Sequence, residues 1–198
     1  MLPPPDHVHF AGLPRLSWKN PPSDWQVDGG ELRITSAANT DLFHDPTVAS
    51  VAANAPLLLL SAGDSWSLSA NVEVGFDEEF DAGGLILWQD SNRWAKLCFE
   101  QLQPQGGTVV SVVTRDVSDQ SNSEAVSTNR IGLRVTFEKA TVTFAYATTE
   151  ANWKTARHFT LTRRHAPNRV LAGFIVQSPK GHGCLAIFRD VLFQKESQ

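Results

Sequence analysis

Residues 81–100, DAGGLILWQDSNRWAKLCFE, decide the fold. Gly83 and Gly84 open an apolar run, Leu85, Ile86, Leu87 and Trp88, that is too short for a helix. Gln89-Asp90-Ser91-Asn92 is turn chemistry, because Asp and Asn side chains bond their own backbone. From Trp94 to Glu100 the chain reads as a second strand. With the four turn residues as the loop, Trp94, Lys96, Cys98 and Glu100 share one face, since side chains alternate with period two. A Lys and a Glu two pleats apart beside a Trp suit a binding surface better than a core.

The same periodicity runs outward in both directions. Trp66, Leu68, Ala70, Val72 and Val74 alternate with Ser65, Ser67, Ser69, Asn71 and Glu73, so one face meets a core and the other meets water or a ligand. Residues 25–35 read as a hairpin around Asp28-Gly29-Gly30. Residues 57–60, four leucines, read as a fully buried strand. Further strands are expected over 108–114, 131–137, 142–146, 158–162, 170–177 and 183–193. Residues 36–56, 101–107 and 115–130 read as irregular connections, and 150–154 as a loop around Trp153. No segment has a helical period. Strands at such regular spacing predict an all-β sandwich of two antiparallel sheets.

Composition bounds the rest. With 198 residues, 41% hydrophobic and 19% charged, the chain is globular and holds one large sandwich rather than two domains. Three consecutive prolines, Pro3 to Pro5, cannot enter a central strand, so residues 1–12 are expected to be a flexible arm and 13–198 the single domain. Net charge is −4 and the only adjacent basic pair is Arg163-Arg164, which argues against nucleic acid or an anionic membrane as partner. The opening MLPPPDHVHF lacks a basic segment followed by an apolar run, so no secretory signal is expected. Cys98 and Cys184 are expected to be buried, reduced thiols, and no Asn-X-Ser/Thr sequon occurs. These features favour the cytoplasm.

The central stretch carries a resemblance. GLILWQD followed by RWAKLCFE resembles the GL-x-V…W-x-K-x-x-x-E core of the DUF1349 family. SWKNPPSDW at 17–25, GGELRIT at 29–35, DLFHD at 41–45, GDSWSLSANVEV at 63–74, SVVTRDVSD at 111–119 and AGFIVQSPKG at 172–181 extend it in order over nearly the whole chain. The family includes fungal proteins named "regulation of enolase". The resemblance implies a concanavalin A-like jelly-roll sandwich and a regulatory role in carbohydrate metabolism. Ser118-Asp119-Gln120 stands where the family commonly has SDW, which removes one aromatic from a candidate sugar-stacking loop.

Candidate chemistry is sparse. No zinc or nucleotide motif occurs, so neither metal nor cofactor is expected. Asp41, His44 and Asp45 suit either a cation or a capped surface loop. No G-x-S-x-G elbow is present. Glu79-Phe80-Asp81 begins the E-x-D-x-x-E strand pattern of sandwich glycosidases, but Gly84 stands where the third carboxylate belongs. Retaining chemistry needs two carboxyls about 5–5.5 Å apart, and no spacing rule sets Glu100 against Asp81.

Two functional readings and one structural reading follow. In the first, a sheet face with Trp88, Trp94, Lys96, Glu100 and Asp81 holds a carbohydrate or another small metabolite without turnover. In the second, the same groove is a cofactor-independent active site, with Glu100 as acid/base and His44 or Asp81 as helper. A protein-binding face or a homo-oligomer remains an alternative. For Glu100 itself, an ion-pair network with Lys96 competes with contact to ligand.

Overall fold

The computed structural model describes residues 7–149, 152–161 and 170–195. The described residues form seventeen strands and no helix long and apolar enough to cross a membrane. In chain order they are β1 (His7–Val8), β2 (Leu16–Lys19), β3 (Asp24–Asp28), β4 (Glu31–Thr35), β5 (Leu42–His44), β6 (Val51–Ala53), β7 (Leu57–Ser61), β8 (Ser65–Gly75) and β9 (Ala82–Asp90). They continue with β10 (Arg93–Leu102), β11 (Gly106–Arg115), β12 (Val117–Ala125), β13 (Arg130–Glu138), β14 (Thr141–Ala147), β15 (Lys154–Thr160), β16 (Leu171–Gln177) and β17 (Leu185–Lys195). One sheet has eight strands in the order β1-β2-β7-β16-β9-β10-β11-β12, the other seven in the order β15-β14-β13-β8-β17-β4-β3. Among the described residues, β5 and β6 pair only with each other.

Sequence alternation explains how the sheets face. On β8 the residues Trp66, Leu68, Ala70, Val72 and Val74 are buried, and the serines between them are half-exposed. They meet Ile131, Leu133, Val135 and Phe137 of β13 and, from the opposite sheet, Leu85, Leu87, Ala95, Leu97 and Phe99. Trp66 stacks on Phe137 with ring centroids 5.7 Å apart, adding a preferred aromatic geometry to the area it buries. The alternate residues of β9, β10 and β11, namely Ile86, Trp88, Trp94, Cys98, Val110 and Val112, form a second cluster on the far side of that sheet. Burial on both faces is why β9 and β11 read as near-continuous apolar runs, while β10 carries Lys96 and Glu100 on its second face.

The β9–β10 hairpin keeps the expected pairing, with Trp94 opposite Trp88 and Glu100 opposite Ala82. Its loop is shorter than the four residues expected. Gln89 and Asp90 extend β9, Ser91-Asn92 make the turn, and Asp90 Oδ1 accepts from the Asn92 N–H at 2.9 Å. A bulge between Arg93 and Trp94 absorbs the register change. The β3–β4 turn is as read, with Gly29 and Gly30 both at positive φ, which a two-residue hairpin of this hand requires.

Three expectations are corrected. The arm is not loose from His7 on: β1 pairs β2, and Val8 and Phe10 enter the main core; residues 1–6 lie outside the described residues. The connection 36–56 contains the β5–β6 hairpin. The connection 115–130 contains β12, the edge of the eight-stranded sheet, exposed along most of its length. A strand wetted on both faces shows no hydrophobic alternation, so period alone cannot reveal it. Of the other expected elements, residues 150, 151 and 162 lie outside the described residues.

Candidate functional site

The face singled out in the sequence exists, but it is covered. Register places Trp88–Trp94–Thr114, Ile86–Lys96–Val112, Gly84–Cys98–Val110 and Ala82–Glu100–Thr108 in successive rows across β9, β10 and β11. The β5–β6 hairpin lies against these rows: Leu42 joins Ile86, Trp94 and Cys98 in one buried apolar cluster, and the His44 ring meets the Trp94 ring edge-on at 5.8 Å. Relative exposure is 0% for Trp94 and Asp81, 2% for Lys96, 4% for Glu100 and 8% for Trp88. The open groove expected on this face is therefore corrected. These residues are interior in the described fold.

Lys96 and Asp81 are each engaged by hydrogen bonds within the fold, whereas Glu100 has none among the described residues. Lys96 Nζ donates to the Leu42 carbonyl at 2.8 Å and to Gln177 Oε1 at 2.7 Å, with Asp41 Oδ1 at 3.7 Å. Its ion partner is Asp41, 55 positions earlier in the sequence, and not the Glu100 expected from the strand register. Glu100 is pushed up to about 7. Burial is the main cause, opposed by the Lys96 charge and reinforced by Asp41. Cys98 packs its sulfur near Gly84, where a Cβ would lie 3.0 Å from Sγ and 2.3 Å from the Leu97 carbonyl, so only glycine fits. Burial pushes the Cys98 thiol up to about 12 and raises Cys184 as well; both are free and buried, as expected.

The proposed catalytic helpers do not join Glu100. Asp81 adjoins Ala82, the cross-strand partner of Glu100, and alternation turns it to the other side. There Asp81 Oδ2 accepts from the Asp77 and Glu78 N–H groups at 3.0 and 2.9 Å, and Oδ1 accepts from Ser178 Oγ at 2.7 Å. His44 sits beside Trp94, six residues from Glu100 along β10, a span of about 20 Å. Its Nδ1 contacts the Asp116 carbonyl at 2.9 Å. Asp45 spends Oδ1 on the Thr47 N–H, the Thr47 hydroxyl and the Val48 N–H, and these bonds hold its carboxyl below the usual range. The loop at Asp41, His44 and Asp45 is thus capped by its own side chains.

An accessible concavity lies on the opposite side of the molecule. On the outer face of the seven-stranded sheet, a cleft of about 490 Å³ is bordered by Asn71 of β8, Arg130, Gly132 and Arg134 of β13, Asp190 of β17 and Trp153. Alternation sets this up: Leu133 and Ile131 point into the core, so Gly132 and Arg134 point out. At Gly132 a Cβ would stand in ordinary contact with the Trp153 ring, 3.4 Å away, so the indole lies close to the sheet there. Arg134 Cζ stands 3.8 Å from the centre of that ring, a close cation–π stack. Asn71 Nδ2 donates to Asp190 Oδ2 at 2.7 Å, and Arg130 reaches the same carboxylate at 3.7 Å. Sequence reading missed this set, although the polar face of β8, including Asn71, was recognised as facing water or ligand. What was missing was the long-range approach of Trp153, which no spacing encodes.

The family described as "Protein of unknown function (DUF1349)" matches residues 18–196, nine-tenths of the chain. The chain belongs to the DUF1349 family. Regulation of enolase protein 1 of Saccharomyces cerevisiae is 21% identical over 179 residues, covering 90% of this chain and 88% of the yeast protein. The crystal structure of a functionally unknown protein from Saccharomyces cerevisiae superposes with a TM-score of 0.84 at 18% identity, covering 92% of this chain and 97% of that one. The GH43B protein of the Bacteroides ovatus xyloglucan PUL superposes with a TM-score of 0.71 at 18% identity; 99% of this DUF1349 chain corresponds to 40% of that protein. These likenesses establish the sandwich fold, and in the last case the sandwich is part of a larger chain.

Proposed function

We propose that this DUF1349 protein is a non-catalytic binding protein for a carbohydrate or a similar small polyhydroxylated metabolite, held in the cleft beside Trp153. The carrying observation is the composition of that cleft. A half-buried indole lies next to Asn71, Asp190, Arg130 and Arg134, within a volume in the usual range for small-molecule sites. An indole offers a flat apolar surface to the C–H face of a sugar ring, and planar amide, carboxylate and guanidinium groups pair with its hydroxyls. The xyloglucan context in the name of the Bacteroides ovatus relative supports the ligand class. The name of the yeast relative supports a regulatory setting in carbohydrate metabolism. Two buried free thiols are consistent with the cytoplasm as compartment.

An acid–base reading has less support, because Glu100 faces Lys96 and Asp41 while Asp81 and His44 lie elsewhere. The test is calorimetric titration of the full chain with neutral oligosaccharides such as xyloglucan and cello-oligosaccharides. Trp153→Ala should abolish binding while shifting the melting temperature by no more than a few degrees. Undiminished binding by Trp153→Ala would move the site elsewhere.

A further inference from the structure

We infer that the ligand of the Trp153 cleft carries an anionic group, a carboxylate or phosphate on a saccharide, which Arg134 reads. The inference rests on the binding function proposed above and narrows its chemical class. Its basis is the unequal treatment of the arginines on this sheet face. Arg189 is held by Glu31 and Glu73, both at 2.5 Å, Arg33 by Glu31 at 2.6 Å, and Arg130 by Asp190 at 3.7 Å. Arg134 has no carboxylate or hydrogen-bond acceptor among the described residues. The one influence that moves its titration is partial burial, which lowers it.

The guanidinium is nevertheless fixed in place. Stacking on Trp153 at 3.8 Å sets the position of the guanidinium, while its edge carries five N–H donors in a fork. A planar fork with unspent donors matches two oxygens of a carboxylate or phosphate. The electrostatics agree. Among the described residues, two guanidinium groups and one carboxylate border the cleft, and that carboxylate is already shared by Asn71 and Arg130. The surplus cation is the half-buried one, where a counter-charge gains most. Trp153 and Asn71 then remain for the sugar ring itself.

The experiment is isothermal titration of the full chain, wild type and Arg134→Gln, with three matched probes. These are a neutral oligosaccharide (cellotetraose), a uronate oligosaccharide (tetragalacturonate) and a phosphorylated sugar (glucose 6-phosphate). One anionic probe should bind about tenfold to a hundredfold tighter than the neutral one, the range expected for charge-assisted pairing. Which one does so separates carboxylate from phosphate. Arg134→Gln should erase that preference, and 0.5 M NaCl should reduce it in the wild type. Equal binding of neutral and anionic probes, or a preference that survives Arg134→Gln, overturns the inference and leaves saccharide binding standing. Failure of every probe overturns both.

Discussion

Glu100 is the residue at which sequence and structure agree on place and differ on role. Its position on the face of Trp94, Lys96 and Cys98 was legible, because period two fixes which side chains share a face. Its partners were not, because the cation beside it is claimed by Asp41 and the Leu42 carbonyl, from a segment with no periodic signal. The consequence is a pH effect of definite sign. The carboxyl ordinarily titrates near 4.5 and in the fold near 7. Below 4.5 both states hold the proton and Glu100 contributes nothing. Between the two values only the folded state holds it, so stability falls as pH rises, and above 7 the full penalty applies. A shift of this size corresponds to about 3 kcal/mol. Glu100→Gln should therefore melt at or above the wild type at pH 8, and the gap should close by pH 4.5, as read by thermal melts across that range. A variant melting many degrees below the wild type at pH 8 would mean that the carboxylate is held by an ion pair.

At the scale of elements, the β5–β6 hairpin determines what one whole sheet face does. Three-residue strands leave too little sequence for a period, so residues 36–56 read as irregular although Leu42 and His44 are buried. The hairpin is fastened through the ammonium of Lys96, which reaches the Leu42 carbonyl and Gln177 at once. Lys96→Met keeps the apolar stem and deletes the donor, leaving two buried acceptors unpaired. The expected loss is about 2–4 kcal/mol, since orphaned buried acceptors cost roughly 1–3 kcal/mol each and Asp41 retains contact with water. The loss should be local first: amides of residues 42–53 should exchange hydrogen faster in Lys96→Met than in the wild type. Unchanged exchange there, with the loss spread evenly, would mean that the hairpin is held by its apolar contacts alone. The polar strand β12 was missed for the converse reason. It is anchored by side chains, with Asp119 bound to Arg157 at 2.7 Å and Glu124 to Lys154 at 2.6 Å across to β15, and carries little burial to announce it.

For the molecule as a whole, alternation on β8, β13 and β10 was enough to specify two facing sheets, whereas the strand order within each sheet was not legible in the sequence. What alternation could not supply is where the core ends. The proline-rich start argued for a flexible arm, yet proline keeps only itself and its immediate neighbours out of a ladder. Val8 and Phe10 lie beyond it, at 1% and 7% exposure, packed with the main core. β1 also caps β2, which would otherwise be the bare edge of the eight-stranded sheet. Deleting residues 1–12 removes both side chains from the core, a loss of about 3–5 kcal/mol at the usual value for burying large apolar groups. For a domain of this size that corresponds to a melting temperature lower by roughly 10 °C. Denaturant melts should show the midpoint moving with the slope nearly constant, because the rest of the sandwich still unfolds as one unit. A truncated protein with the wild-type midpoint would return the segment to the status of a loose arm. The predicted drop would place Val8 and Phe10 within the folded domain.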